Sequence, residues 1–155
     1  MDWRAELENR LKGRIAVMGV GNMLRADDAL GPRVASALSR TEGLTPFNCE
    51  SVPEKWLAPV RRYGPDVILF VDVADFGGEP GEIRILEPAD LAGLHSAGTH
   101  AMSSGFLMEL FTQSTSASSF MLAVQPSTIE LGEPMSEACE RATQEIIEEL
   151  SRYSS

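Results

Sequence analysis

Five consecutive apolar residues, Val67 to Val71, stand between Asp66 and Asp72. A strand with one face in water alternates polar and apolar side chains, so a short unbroken run marks a strand covered on both faces. Ile15 to Val20 and Phe120 to Val124 have the same character. Strands of this kind, separated by helical periodicity, require helices on both sides of a largely parallel sheet with right-handed crossovers. The expected fold is α/β: a three-layer α/β/α sandwich on a mostly parallel twisted sheet. Glu82 to Leu86 alternates polar and apolar residues, which predicts one antiparallel edge strand, returning beside Asp72.

The segments between these strands carry weaker signals. Leu30, Val34, Ala37 and Leu38 form one apolar stripe of a helix that should fade near Ser39 to Gly43, with Pro32 in its first turn and Asp28 as a possible N-cap. Phe47 to Val52 suggests a second strand, stopped by Pro53 before a helix from Glu54 to Tyr63 with Trp56, Leu57 and Val60 inward. Arg4 to Lys12 has no clear apolar stripe and suits a short polar helix or a loose arm. Glu87 to Leu91 suits a single helical turn. His95 to His100 then makes a small-residue loop into a helix from Met102 to Phe111, whose apolar face is Phe106, Leu107, Leu110 and Phe111. Gln113 to Ser119 is an exposed polar connection by composition. The last helix should run from Glu133 or Pro134 to Ser151, with Met135, Ala138, Ala142, Ile146 and Leu150 inward and Glu137, Arg141, Glu145 and Glu148 in water.

With 155 residues the chain has room for one domain, 1–155, and one sizeable core. A hydrophobic share of 43% beside 23% charged residues is ordinary for a soluble globular protein, and no apolar run approaches the roughly 20 residues of a membrane helix. No membrane insertion is expected. The N-terminal residues Met1 to Glu8 lack the pattern of a secretory signal, so a cytoplasmic location is expected. The net charge of −10 argues against a nucleic-acid partner, whose phosphates call for Lys and Arg. Cys49 and Cys139 are too few for a disulfide framework or thiolate metal site and suit small core residues.

Ligands of an open α/β sheet gather outside the carboxyl ends of its strands. Asp28 follows the first strand, Asp72 ends the long apolar one, and His100 lies in the loop entering a later helix. Two carboxylates and an imidazole on one rim suit a divalent metal such as nickel or zinc, with positions left open for water or substrate. Spacing alone leaves other roles open: Asp28 as a helix cap, Asp72 beside Asp75 solvating a turn, His100 as a hydrogen-bonded loop residue. Gly19-Val20-Gly21 invites comparison with a nucleotide loop, but Leu24 occupies the third glycine position and Asp27 and Asp28 would repel phosphate. Ser103 and Ser104 follow His100 without the G-x-S-x-G turn of a serine hydrolase, and His95 has no identifiable partner.

Four separated motifs go further: Gly19-Val20-Gly21-Asn22-Met23-Leu24-Arg25-Ala26-Asp27-Asp28, Val71-Asp72-Val73-Ala74-Asp75, Thr99-His100 and Val124-Gln125-Pro126. In this order, and over Arg14 to Leu150, the chain resembles the [NiFe]-hydrogenase maturation endopeptidases. Val52-Pro53-Glu54, the turn Gly78-Glu79-Pro80-Gly81 and the Thr-His pair are most similar to the hydrogenase 3 (formate hydrogenlyase) type. The resemblance implies an endopeptidase that removes a short C-terminal extension from the hydrogenase large-subunit precursor after nickel insertion. By motif, the metal-contacting and catalytic residues would be Asp28, Asp72 and His100, with Asp28 standing where some members carry Glu. Asn22, Asp27, Asp75 and Thr99 are candidates for neighbouring or substrate-proximal roles. The nickel would be presented by the precursor and would also polarise the scissile bond, while zinc or cadmium would suit the same donors in vitro. A non-catalytic metal- or precursor-binding maturation chaperone on the same scaffold is the alternative.

Overall fold

The computed structural model describes residues 2–92, 94 and 104–154. Its sheet is built from β1 (Ile15–Val20), β2 (Leu44–Glu50), β3 (Val67–Val73), β4 (Ile83–Leu86) and β5 (Ser118–Val124) in the order β2-β1-β3-β5-β4. All pairings are parallel except that of β4 with β5. The helices are α1 (Trp3–Arg10), α2 (Leu30–Ala37), α3 (Leu57–Tyr63), α4 (Pro88–Leu91), α5 (Ser104–Thr115) and α6 (Glu137–Ser151).

Successive strand side chains point to opposite faces, and here both faces are dry. Val17, Leu69, Val71 and Leu122 pack with Leu7 of α1, Leu30 and Val34 of α2 and Ile146 and Leu150 of α6. Met18, Ile68, Phe70 and Met121 face the other way, against Val60 of α3, Leu91 of α4 and Leu107, Met108 and Phe111 of α5. This is the expected three-layer sandwich. Among the described residues no helix is long and apolar enough to cross a membrane.

Several boundaries differ from the sequence expectation. The N-terminal segment is a true helix, capped by Asp2, and it is held by buried Leu7 and Leu11. Arg10 adds a stack over the Phe120 ring at 3.9 Å from its centroid and an ion pair with Glu87. β2 begins at Leu44, earlier than Phe47, because it is an edge strand and an edge strand tolerates Pro46. It also ends at Glu50, whose left-handed φ of 50° coincides with the register shift opposite Gly19 and Val20. A 3-10 turn, Pro53–Trp56, precedes α3, and α6 starts at Glu137, where the Ser136 side chain accepts from the Cys139 N–H. Ala37 and Phe106 face solvent, and Ala35 and Met108 take the inward positions. Helix α5 extends through Gln113 to Thr115, and β5 already begins at Ser118, so the expected polar connection shrinks to two residues, 116 and 117.

The antiparallel edge strand exists but lies beside β5, not beside the strand that carries Asp72. Both edges of β3 are occupied, by β1 and β5. The 74–82 connection therefore crosses the end of β5. Ala74 N–H donates to Val124 O, Gly81 N–H to Gln125 O and Gln125 N–H to Glu82 O, at 3.0, 2.8 and 2.9 Å.

Helix α2 comes unusually close to the sheet. A Cβ on Gly31 would lie 2.3 Å from the carbonyl oxygens of both Val20 and Val71, and one on Gly19 would lie 2.2 Å from Gly31 O. Gly31→Ala gains roughly 1 kcal/mol of helix propensity but must displace backbone on two strands, an overpacking cost of roughly 1–3 kcal/mol or more. The clash should win, lowering the urea midpoint with the m-value unchanged. An unchanged or higher midpoint would refute the close packing.

Candidate active site

The chain leaves β1 through Gly21, at φ 149°, where a Cβ would lie 1.9 Å from the Asp28 carbonyl oxygen. The loop therefore folds back on itself. Asn22 N–H donates to Asp28 Oδ2 at 3.0 Å, Asn22 Oδ1 accepts from Leu24 N–H at 2.8 Å, and Asp28 N–H donates to Arg25 O at 2.9 Å. Ala26 adopts φ 49°, a left-handed conformation costly for a residue with a Cβ. It starts the 3-10 turn Ala26–Ala29, which buries both acids of the motif.

Asp27 and Asp28 are 0% and 1% exposed, and adjacent positions send them to different partners. Asp28 stays with its own loop, through Asn22. It does not cap α2: the residue before that helix is Ala29, which makes no side-chain cap, and Leu30 N–H already finds Asp27 O in the preceding turn. The expected capping role is thereby corrected, because a 3-10 turn running straight into an α-helix supplies its own acceptors.

Asp27 joins two loops. Its Oδ2 accepts from Ser127 N–H (2.7 Å), Thr128 N–H (3.0 Å) and Ser136 Oγ–H (3.0 Å), and its Oδ1 accepts from Ser136 N–H (2.7 Å). Burial alone would raise its pKa, but these hydrogen bonds to the charged form outweigh it and hold the carboxyl below its ordinary value. The connection between β5 and α6 is thus pinned to the turn that bears Asp28.

Asp72 occupies the penultimate position of β3, 3% exposed, and its Oδ1 accepts from Val73 N–H at 2.8 Å. The chain passes from β1 outward to β2 and returns to β3 on the opposite side of β1, so the β1/β3 boundary is the topological switch point of the sheet. Asp28 follows one of these strands and Asp72 ends the other. The 3-10 turn also contacts β3. Asp75 is exposed and lies further along, with its Oδ1 accepting from Gly77 N–H and Gln125 Nε2. His100 and Thr99 lie outside the described residues, as does His95. Among the described residues no group of three or more His, Cys, Asp or Glu side chains is placed to hold a metal ion.

Gln125 has a structural role that sequence reasoning left unassigned. Its Oε1 accepts from Phe76 N–H (2.9 Å) and Gly78 N–H (3.0 Å), and its Nε2 donates to Asp75 Oδ1 (3.0 Å). One amide thus shapes the loop that follows Asp72. A polar residue sealed between an apolar strand and Pro126 was the available signal. Both cysteines are buried. Burial pushes the Cys139 thiol up to about 11 and moves the Cys49 thiol upward too, so neither is a thiolate nucleophile at neutral pH.

An open α/β sheet with two buried carboxylates at its switch point is the framework of a class that works at the strand carboxyl ends. Residues 32–152 match the family model described as hydrogenase maturation protease. The chain is 30% identical over 136 residues to the hydrogenase 3 maturation protease of Escherichia coli strain K12, covering 86% of each chain. It is similar in structure to the [NiFe] hydrogenase maturation protease HycI from Thermococcus kodakarensis, with a TM-score of 0.84, 30% identity and coverage of 96% and 97%. The endopeptidase HycI from Escherichia coli superposes with a TM-score of 0.77 at 26% identity, covering 92% of each chain. This protein belongs to the hydrogenase maturation protease family.

Asp27→Asn replaces an acceptor-only carboxylate by an amide with one acceptor oxygen, facing N–H donors in a dry site. It should destabilise the fold by about 2–3 kcal/mol at pH 7. Because the folded pKa of Asp27 is depressed, its contribution is present above the ordinary value of about 3.9 and is lost as pH falls through the lower folded pKa. Urea midpoints of wild type and Asp27→Asn should therefore converge as the pH drops below about 4. A gap that stayed constant down to the acid limit would assign the effect to something other than the carboxylate charge.

Proposed function

We propose that the protein is the endopeptidase that removes the C-terminal extension of a nickel-loaded [NiFe]-hydrogenase large-subunit precursor. Family membership makes it a hydrogenase maturation protease. The observation that carries the finer reading is the pair of buried carboxylates at the switch point, Asp28 in the turn that follows β1 and Asp72 near the end of β3.

In this reading Asp28, Asp72 and His100 recognise the nickel lodged in the precursor. The nickel belongs to the substrate. Carboxylate oxygens and an imidazole nitrogen suit such an ion, and none of the three needs to act as a nucleophile. A divalent ion polarises a carbonyl and lowers the pKa of bound water from about 16 to about 7. Water adds to the scissile carbonyl, the C–N bond breaks, and the new amine leaves with a proton. Neither a protonated Cys139 nor a buried Cys49 competes for that role. Asn22 orients Asp28 through its backbone N–H, and the Gln125–Asp75 contact shapes the loop next to Asp72. A cytoplasmic location accords with a substrate that is processed before assembly.

Purified protein should shorten nickel-loaded precursor, read as a C-terminal mass loss, and leave nickel-free precursor intact. Equal cleavage of both would end the idea that the metal is recognised. Binding without mass loss would make the protein a chaperone. Asp28→Asn, Asp72→Asn and His100→Ala should each slow processing on the order of a hundredfold or more while preserving a cooperative melt, the scale set by removing one group that stabilises developing charge. Wild-type rates in any one variant would remove that residue from the site.

A further inference from the structure

We propose that Met23, Leu24 and Leu131 form a docking surface for an apolar segment of the precursor that is flanked by basic residues. The proposal rests on the reading of the protein as the precursor's endopeptidase.

These side chains are 49%, 68% and 64% exposed, whereas most large apolar residues of the chain are buried. They come from two loops, after β1 and after β5, and together with Gly132 and Glu133 they line one open depression of about 460 Å³. Met23 also borders a second depression, of about 330 Å³, that reaches Ala37 of α2 and Ile147 of α6. Adjoining exposed apolar side chains on a compact protein mark an interaction site.

The surface is preformed and tied to the candidate active site. Gly132 N–H donates to Leu24 O at 2.8 Å, which joins the two loops directly. Leu24 N–H donates to Asn22 Oδ1 at 2.8 Å, and Asn22 N–H donates to Asp28 Oδ2 at 3.0 Å. Asp27 holds the other loop at Ser127, Thr128 and Ser136. Leu24 and Asp28 are four positions apart in the chain, so their Cα atoms lie at most about 15 Å apart. A chain seated on Leu24 is thus within a few residues of the carboxylate. Rigid loops also spare a bound segment the cost of ordering its receptor.

Charge selects the occupant. Leu131 sits between two exposed acids of the same loop, Glu130 and Glu133, on a chain of net charge −10. An apolar residue flanked by Lys or Arg complements this arrangement, and a second copy of the same acidic chain does not.

The test is the kinetics of cleavage of nickel-loaded precursor. Leu24→Ser with Leu131→Ser should raise KM about tenfold or more with kcat within about twofold, as loss of buried apolar contact distant from the reacting bond requires. Glu130→Lys with Glu133→Lys should raise KM several-fold and flatten its dependence on salt. Met23→Gln supplies an independent variant should the leucine pair fail to melt cooperatively. An unchanged KM in the folded patch variants overturns the proposal. So does a wild-type dimer in sedimentation that Leu131→Ser dissociates, which would assign the patch to a second copy. Uncut precursor with wild-type protein sinks the endopeptidase reading instead. Titration calorimetry of the same precursor against wild type and the leucine pair then still decides the patch: equal affinities overturn it.

Discussion

The Asp27 carboxylate is the interaction on which the functional end of this protein depends. It is buried, ionised and saturated by donors from the connection between β5 and α6. A carboxylate in a dry site is costly unless its oxygens are satisfied, so once formed this set of bonds leaves little freedom to either loop. Two consequences meet there: the turn presenting Asp28 is fixed relative to the sheet, and the loop carrying Leu131 is brought beside Leu24.

Close packing of α2 supplies the second constraint. Glycine at positions 19 and 31 lets helix and strand backbones touch, which sets the first turn of α2 over the carboxyl ends of β1 and β3. Strand order then makes that boundary the place where chain connections diverge and a crevice opens. Asp72 reaches the same rim from β3, and the Gln125 amide organises the loop beyond it. Scaffold glycines, one structural carboxylate and one structural amide thus hold the groups to which catalysis is attributed.

Much of this was legible in the residues. β1, β3 and β5 announce themselves because burial on both faces removes polar alternation. The start of β2 was hidden because Pro46 argues against a strand until its edge position is known. The Phe106 error has a different origin: periodicity finds an apolar stripe but not its width, and Phe106 lies outside it, exposed. The neighbour of β4 was not legible, since a lone antiparallel strand can be added to any open edge. For the candidate site, the family resemblance singled out Asp28 and Asp72 and gave Asp27 a neighbouring role, but spacing alone could not show that Asp27 ties two loops together while Asp28 stays with its own. Neighbouring carboxylates are interchangeable on paper, and the partners that distinguish them lie about a hundred residues away.

What the sequence by itself determined was the layered α/β architecture, the family, and the chemical types available on the rim. These depend on local periodicity and on residue identity, which a linear chain displays directly. Only the tertiary structure decided that Asp27 is the tie and Asp28 no helix cap, that β4 pairs with β5, and that Leu24 and Leu131 share one surface. All but the Asp28 outcome, which a local 3-10 turn decides, are contacts between segments remote in sequence. Their geometry is fixed by backbone packing and by the need to satisfy buried polar groups, and neither has a signature in spacing along the chain.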